Sequence, residues 1–248
     1  GLRQLFWIVT AMVGARSAAM TFNRIVDLDY DRANPRTRER ALPSGRLSMS
    51  FAVIFTAAMS ALFVVSAAML NRLCLYLSVP TLLILLAYSY TKRFTLLSHF
   101  VLGFAIGLAP LGAWLAISGE FALPPILLGF TVMLWIAGFD LIYSCQDTEF
   151  DQQVRLFSIP ARWGKQRALV VSAVLHVATV IVLLGIAWLS NLGVVAYGGI
   201  SVVAAILYWE HRIVRHDDLS RVNVAFFTLN GYVSLLLLAA FAIDILAS

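Results

Sequence analysis

The stretch Asn23-Arg-Ile-Val-Asp-Leu-Asp-Tyr-Asp31, NRIVDLDYD, closes a run of more than twenty residues whose only charges are Arg3 and Arg16. Such a run reads as a helix in an apolar medium, and three carboxylates at its end need a reason. If the helix continues through the stretch, Asn23, Asp27 and Asp31 recur at i, i+4 and i+8 and form one stripe, while Asp29 and Arg24 point elsewhere. Like charges one turn apart destabilise a bare helix, and an aspartate at the bilayer centre costs about 2.5–3.5 kcal/mol on insertion scales. Either something compensates these acids, or the helix has simply reached water.

Composition decides the medium. Of the 248 residues 61% are hydrophobic and 12% charged, where a soluble domain carries about a quarter charged residues. Eight apolar runs approach spanning length, at 4–24, 48–69, 74–91, 97–117, 123–144, 167–189, 193–209 and 223–245. The expected fold is an all-α polytopic transmembrane helix bundle in one membrane domain over 1–248. Most of the 18 Lys and Arg fall in alternate loops, after runs one, three, five and seven, and only Arg3 and Arg72 lie on the other side. The positive-inside rule makes the first side cytoplasmic. The net charge of +5 is then a topology signal with room for an anion site, and gives no case for nucleic acid. Cys74 and Cys145 sit far apart in apolar surroundings and read as packing residues. Gly1 opens directly inside a helix-like run with no recognisable signal peptide, as expected of a fragment that lacks an upstream segment.

A second acidic group, DLIYSCQDTEFD (140–151), places Asp140, Tyr143 or Ser144, Asp147 and Asp151 on one helical face, again at the inner end of an apolar run. Each group is followed by a basic loop broken by Pro and Gly: RANPRTRERALPSGR (32–46) and QQVRLFSIPARWGKQR (152–167). The offset between Asp27/Asp31 and Asp147/Asp151 is 120 residues, which suggests a weak internal duplication or a coincidence of two helix ends. Two carboxylate groups beside two basic loops need cations and an anion together. Oxygen-only ligands suit Mg²⁺, which keeps several waters and is commonly completed by phosphate oxygens. Arg and Lys neutralise the remaining phosphate charge. The simplest occupant is a Mg²⁺ diphosphate whose organic tail runs into the membrane.

Other residues divide between chemistry and packing. Arg16 lies deep in the first run, among the small residues Gly14, Ala15, Ser17, Ala18 and Ala19, and an arginine at such depth is a functional candidate unless it snorkels or pairs. Tyr88 and Lys92, one helical turn apart in AYSYTKR, belong either to the site or to an aromatic belt with a topogenic lysine. Gly103, Gly107, Pro110 and Gly112 read as helix packing with a kink. The four histidines, His99, His176, His211 and His216, lack metal-ligand spacing and read as packing or loop residues. Asn223 and Asn230 line a pocket or bond between helices, with the second reading favoured.

With these residues on the page the chain resembles the UbiA superfamily of intramembrane aromatic prenyltransferases, in its 4-hydroxybenzoate polyprenyltransferase branch. The resemblance rests on NRIVDLDYD, NPRTRERALPSGR, YSYTKR, DLIYSCQDTEFD and SIPARWG, in the family's order over about residues 14–164. It implies nine transmembrane helices around a central cavity with cytosolic caps, so that eight runs here imply a missing first helix. It further implies that Asn23, Asp27, Asp31, Asp140, Asp147 and Asp151 hold Mg²⁺ on the diphosphate, and that Arg36, Arg40 and Lys92 contact phosphate. Tyr88 falls at the position near the reacting carbon and Arg16 at one that meets the aromatic acid's carboxylate. Arg24 stands where many members have Asp, and its position off the stripe implies tuning rather than loss.

The expected activity is Mg²⁺-dependent transfer of a polyprenyl group from polyprenyl diphosphate to a ring carbon of 4-hydroxybenzoate in quinone biosynthesis. The enzyme would be multi-pass in the cytoplasmic (inner) membrane, its site opening toward the cytoplasm. The stretches GARSAAMTFNRIVD and QDTEFD also resemble the branch acting on 1,4-dihydroxy-6-naphthoate for menaquinone, for which Arg16 serves equally. A cation-coupled transporter is the remote alternative, disfavoured because the charges cluster at one end.

Overall fold

The computed structural model describes residues 1–223 and 228–247. Among the described residues eight helices are long and apolar enough to cross a membrane, in agreement with the eight hydrophobic runs. Part of the last run, 224–227, lies outside the described residues. The α-helices are α1 (Leu2–Val26), α2 (Leu28–Ala33), α3 (Met49–Leu70), α4 (Arg72–Ala87), α5 (Ser98–Ser118), α6 (Leu123–Ser144), α7 (Thr148–Gln153), α8 (Ile159–Trp163), α9 (Lys165–Leu189), α10 (Val194–Ile213) and α11 (Asn230–Ala247). Two 3₁₀ segments, Tyr88–Arg93 and Cys145–Asp147, continue α4 and α6. The chain divides into two compact units, 1–91 with 108–121, and 92–107 with 122–248.

In the first unit α1 lies along α3. A Cβ on Gly14 would run into the Met59 carbonyl oxygen and the Phe63 backbone, and Ala18 has no exposed surface. The small residues around Arg16 therefore serve close helix approach, since without a hydrophobic drive between helices in lipid it is contact packing that small side chains permit. Asn71 accepts from the Cys74 amide at 2.8 Å as the cap of α4, and its own amide donates to the Leu115 carbonyl at 2.7 Å. Cys74 is buried against Ala67, Leu115 and Ala116, a packing residue as expected.

In the second unit α6 and α9 form the core. Ala137, Leu141, Cys145 and Ala168 are fully enclosed, and Ser172 donates to the Gly138 carbonyl at 2.6 Å. Gly107 and Gly129 meet backbone to backbone, and Gly103 sits on the Met133 carbonyl, so these α5 glycines are packing residues. The buried carboxylate of Asp244 on α11 accepts from the amides of Gly193, Val195 and Ala196, capping α10 from a neighbouring helix. Trp135 Nε1 donates to Asn230 Oδ1 at 2.8 Å, and Asn230 Nδ2 donates to Glu210 Oε1 at 3.5 Å. Asn230 thus bonds between helices, the reading favoured from sequence. His176 and His211 join the same layer through a 2.9 Å ring-nitrogen contact.

Candidate active site

The first acidic stretch keeps its helical ladder across a kink. Helix α1 ends at Val26 and Asp27 leaves the helical region, at φ −94° and ψ 12°, before α2 begins. Backbone bonds from Asp27 N to Asn23 O (2.9 Å) and from Asp31 N to Asp27 O (2.7 Å) carry the register through. Asn23 Nδ2 donates to Asp27 Oδ2 at 2.9 Å. Asp29 is exposed, while Asp31 is buried, as the stripe requires. Asp31 is gripped twice, by Arg40 Nη1 at 2.8 Å on Oδ1 and by Arg24 Nη1 at 3.4 Å on Oδ2.

The contact from Arg24 corrects the expectation that this side chain points away from the acids. Residues 24 and 31 are seven apart, two turns of helix, so they share a face more closely than 23 and 31 do. Counting from Asn23 alone hid this.

The second acidic stretch repeats the geometry. Asp147 stands at φ −100° and ψ 5° between the 3₁₀ turn and the six-residue α7, as Asp27 stands before the six-residue α2. Asp147 and Asp151 are buried. Asp151 Oδ2 accepts from Ser158 Oγ at 2.8 Å and from Lys92 Nζ at 3.4 Å. Ser158 also accepts from the Ala161 amide at 3.3 Å as the cap of α8, so one hydroxyl fixes the basic segment to the acid. The uninterrupted helical face expected over 140–151 is corrected here, because Cys145–Asp147 tightens to 3₁₀ and rotates Asp147 and Asp151 relative to Asp140.

Lys92 lies in the other 3₁₀ segment, and this too corrects the sequence reading. At three residues per turn, i and i+4 no longer align, so Tyr88 and Lys92 do not form a one-turn pair. Tyr88 is half-buried in the first unit and Lys92 belongs to the second. Arg36 is exposed, its amide donating to Asn34 Oδ1 at 2.9 Å. Arg16 is exposed on α1, and none of the described residues pairs with its guanidinium.

The residue that sequence reading missed is His99. It is completely buried, its Nδ1 lies 2.7 Å from Asp140 Oδ2, and its Nε2 lies 3.4 Å from the Ile159 amide. Forty-one positions separate it from Asp140, so no local spacing marks the pair.

Among the described residues no three His, Cys, Asp or Glu side chains converge into a ready-made metal cage. The donors are hard oxygens, with cations already beside them for an anion. A cavity of about 860 Å³ in the second unit is lined by Phe94, Phe100, Phe157, Arg162 and Trp163 among others, and by none of these acids, so the candidate site is defined by the charged residues and not by that cavity.

The UbiA prenyltransferase family model matches residues 1–232. A 4-hydroxybenzoate octaprenyltransferase of Aromatoleum aromaticum is 31% identical over 252 residues, covering 100% of this chain and 84% of its own. One of Nitrosospira multiformis is 30% identical over 243 residues, covering 98% and 83%. The apo structure of a UbiA homolog from Aeropyrum pernix K1 superposes with a TM-score of 0.90 at 36% identity, covering 99% of this chain and 90% of that one. A UbiA homolog from Archaeoglobus fulgidus, solved with DMAPP and Mg²⁺ bound, shares the fold at a TM-score of 0.71 and 19% identity, covering 96% and 88%. With eight spanning helices and this match over nearly its whole length, the chain is a multi-pass membrane protein and belongs to the UbiA prenyltransferase family.

Proposed function

We propose that this chain, as a single prenyltransferase domain over 1–248, transfers a polyprenyl group from polyprenyl diphosphate to the ring carbon ortho to the phenol of 4-hydroxybenzoate. The observation that carries the reading is the pair of buried aspartates already neutralised by cations, Asp31 by Arg40 and Arg24, and Asp151 by Lys92. A buried carboxylate–cation pair is weak evidence of stability but a natural arrangement for exchange with a charged ligand. Its support from relatives is the name 4-hydroxybenzoate octaprenyltransferase on chains about 30% identical to this one. Membership in a transferase family sets the transporter alternative aside.

In this reading Asn23, Asp27, Asp31, Asp140, Asp147 and Asp151 would hold Mg²⁺, which would supply charge neutralisation of the leaving diphosphate. Arg36, Arg40 and Lys92 would take the phosphate oxygens. The allylic C–O bond breaks toward the diphosphate, the ring carbon forms the new C–C bond, and the ring proton leaves to restore aromaticity. Tyr88 lines the reacting carbon, and the exposed, unpaired Arg16 receives the acceptor's carboxylate. Exclusion of water from a membrane-buried site protects the allylic cation. The concentration of Lys and Arg in alternate loops supports a mouth on the cytoplasmic face of the cytoplasmic membrane.

The test is an acceptor panel. Detergent-purified protein is given geranyl diphosphate with 4-hydroxybenzoate or 1,4-dihydroxy-6-naphthoate, with and without Mg²⁺, and products are read by mass. Prenylated 4-hydroxybenzoate formed only with Mg²⁺ is expected. Product with the naphthoate alone moves the assignment to the menaquinone branch, and no product with any acceptor removes it.

A further inference from the structure

Among the acids of the second unit Asp140 is held differently. Asp151 faces Lys92, whereas Asp140 makes no ion pair with Lys or Arg among the described residues; its partner is the imidazole of His99. That ring has no exposed surface and lies between two groups whose roles are fixed by chemistry. The Ile159 amide can only donate, and it points at Nε2 from 3.4 Å. Nε2 therefore accepts, which leaves the proton on Nδ1, where it is donated to Asp140 Oδ2 across 2.7 Å. A proton on both nitrogens would set two N–H groups against each other.

We propose that His99 is a positioning residue for the cation site, an Nδ1–H donor that fixes the rotamer of Asp140 and leaves its other carboxylate oxygen open to an incoming divalent cation. The side chain of Asp140 is 22% exposed, and its Oδ1 accepts no hydrogen bond from the described residues, so one oxygen is tied and the other is available. The same ring satisfies one of the amides that the start of α8 cannot bond within its own helix. Ser158, one residue earlier, caps α8 and donates to Asp151. Through His99 and Ser158 the first turn of α8 is thus tied to both Asp140 and Asp151, which sets their spacing from the protein side before any ligand binds. Hydrogen bonds of this kind to metal-binding groups typically change metal affinity about 10–100-fold when removed.

The proposal rests on the reading of Asp140 as a cation-binding group, and its test reads the cation directly. Mn²⁺ in place of Mg²⁺ is titrated by electron paramagnetic resonance into purified wild type, His99→Leu and His99→Asn in the presence of geranyl diphosphate, with thermal unfolding of each recorded. The asparagine amide sits near the position of Nδ1 and restores the donor to Asp140 without reaching Ile159. His99→Leu is expected to weaken Mn²⁺ binding roughly 10–100-fold, and His99→Asn to recover most of that loss. Equal Mn²⁺ affinity in all three proteins overturns the proposal, as does absence of bound Mn²⁺ in wild type. So does an equal loss in both variants that tracks a lowered unfolding temperature, which would make His99 a packing residue. Lack of prenylated product from wild type would instead remove the assigned reaction while the Mn²⁺ titration still decides the role of His99.

Discussion

The two acidic turns of this protein share a plan and differ in how each is closed. In both, an aspartate with φ −94° or −100° joins a long helical segment to a six-residue helix, Asp27 directly after α1 and Asp147 at the end of the 3₁₀ turn that follows α6, and the short helix carries a second buried aspartate, Asp31 or Asp151. The 120-residue offset seen in sequence is therefore matched in local structure. The first turn is closed locally: Arg24 and Arg40 lie seven and nine residues from Asp31, and α2 exits into extended backbone at Asn34. The second has a local hydroxyl, Ser158, but takes its cation from long range, from Lys92 fifty-nine residues away, and α7 exits by a Schellman motif. There the Leu156 amide bonds the Asp151 carbonyl at 2.9 Å and the Arg155 amide the Gln152 carbonyl at 3.3 Å, with Arg155 at φ +58°. A turn whose cations come from its own loop tolerates the loss of one, whereas a turn whose cation comes from a distant lysine depends on the packing that delivers it.

The comparison is broken most severely by removing the acids themselves. Asp31→Ala and Asp151→Ala are each expected to lower kcat for prenyl transfer by about 10²–10³, with extraction yield showing that the chains still insert, while the exposed Asp29→Asn stays near wild type. Near-normal rates in the two alanine variants would return the acids to ordinary helix ends. A smaller effect sharpens the contrast in closure. Lys92→Ala leaves Asp151, 2% exposed, with only Ser158, and should destabilise by about 1–3 kcal/mol. Arg40→Ala, where Arg24 remains on Asp31, should cost less. Equal losses of thermal stability in detergent would remove the distinction between local and distant closure. The smallest effect is a gain: Arg155→Gly relieves a left-handed residue at the end of α7 and is expected to stabilise by about 1 kcal/mol, whereas no residue of α2's exit offers the same gain.

Much of this was legible before any coordinates. Hydropathy sums over some twenty consecutive residues, so the spans could be counted from the chain alone, and helical periodicity placed Asp31 inward and Asp29 outward. The packing role of Gly14, Gly103 and Gly107 followed from small residues in an apolar run. Periodicity failed where the helix changed type: the 3₁₀ segments at Tyr88–Arg93 and Cys145–Asp147 break the i, i+4 count that was applied across them. It also failed at Arg24, where the count began from the wrong residue.

Sequence by itself determined the membrane class, the eight spans, the family and the positions of the charged groups, because each depends on local composition, spacing or motif. Only the tertiary structure decided the partners: Lys92 for Asp151, His99 for Asp140, and Asp244 for the start of α10. Such pairs join residues about forty to sixty positions apart, and their choice follows from how helices pack, which no window along the chain contains. His99 shows the consequence most directly, since a histidine with no ligand spacing in sequence lies, in the fold, 2.7 Å from Asp140.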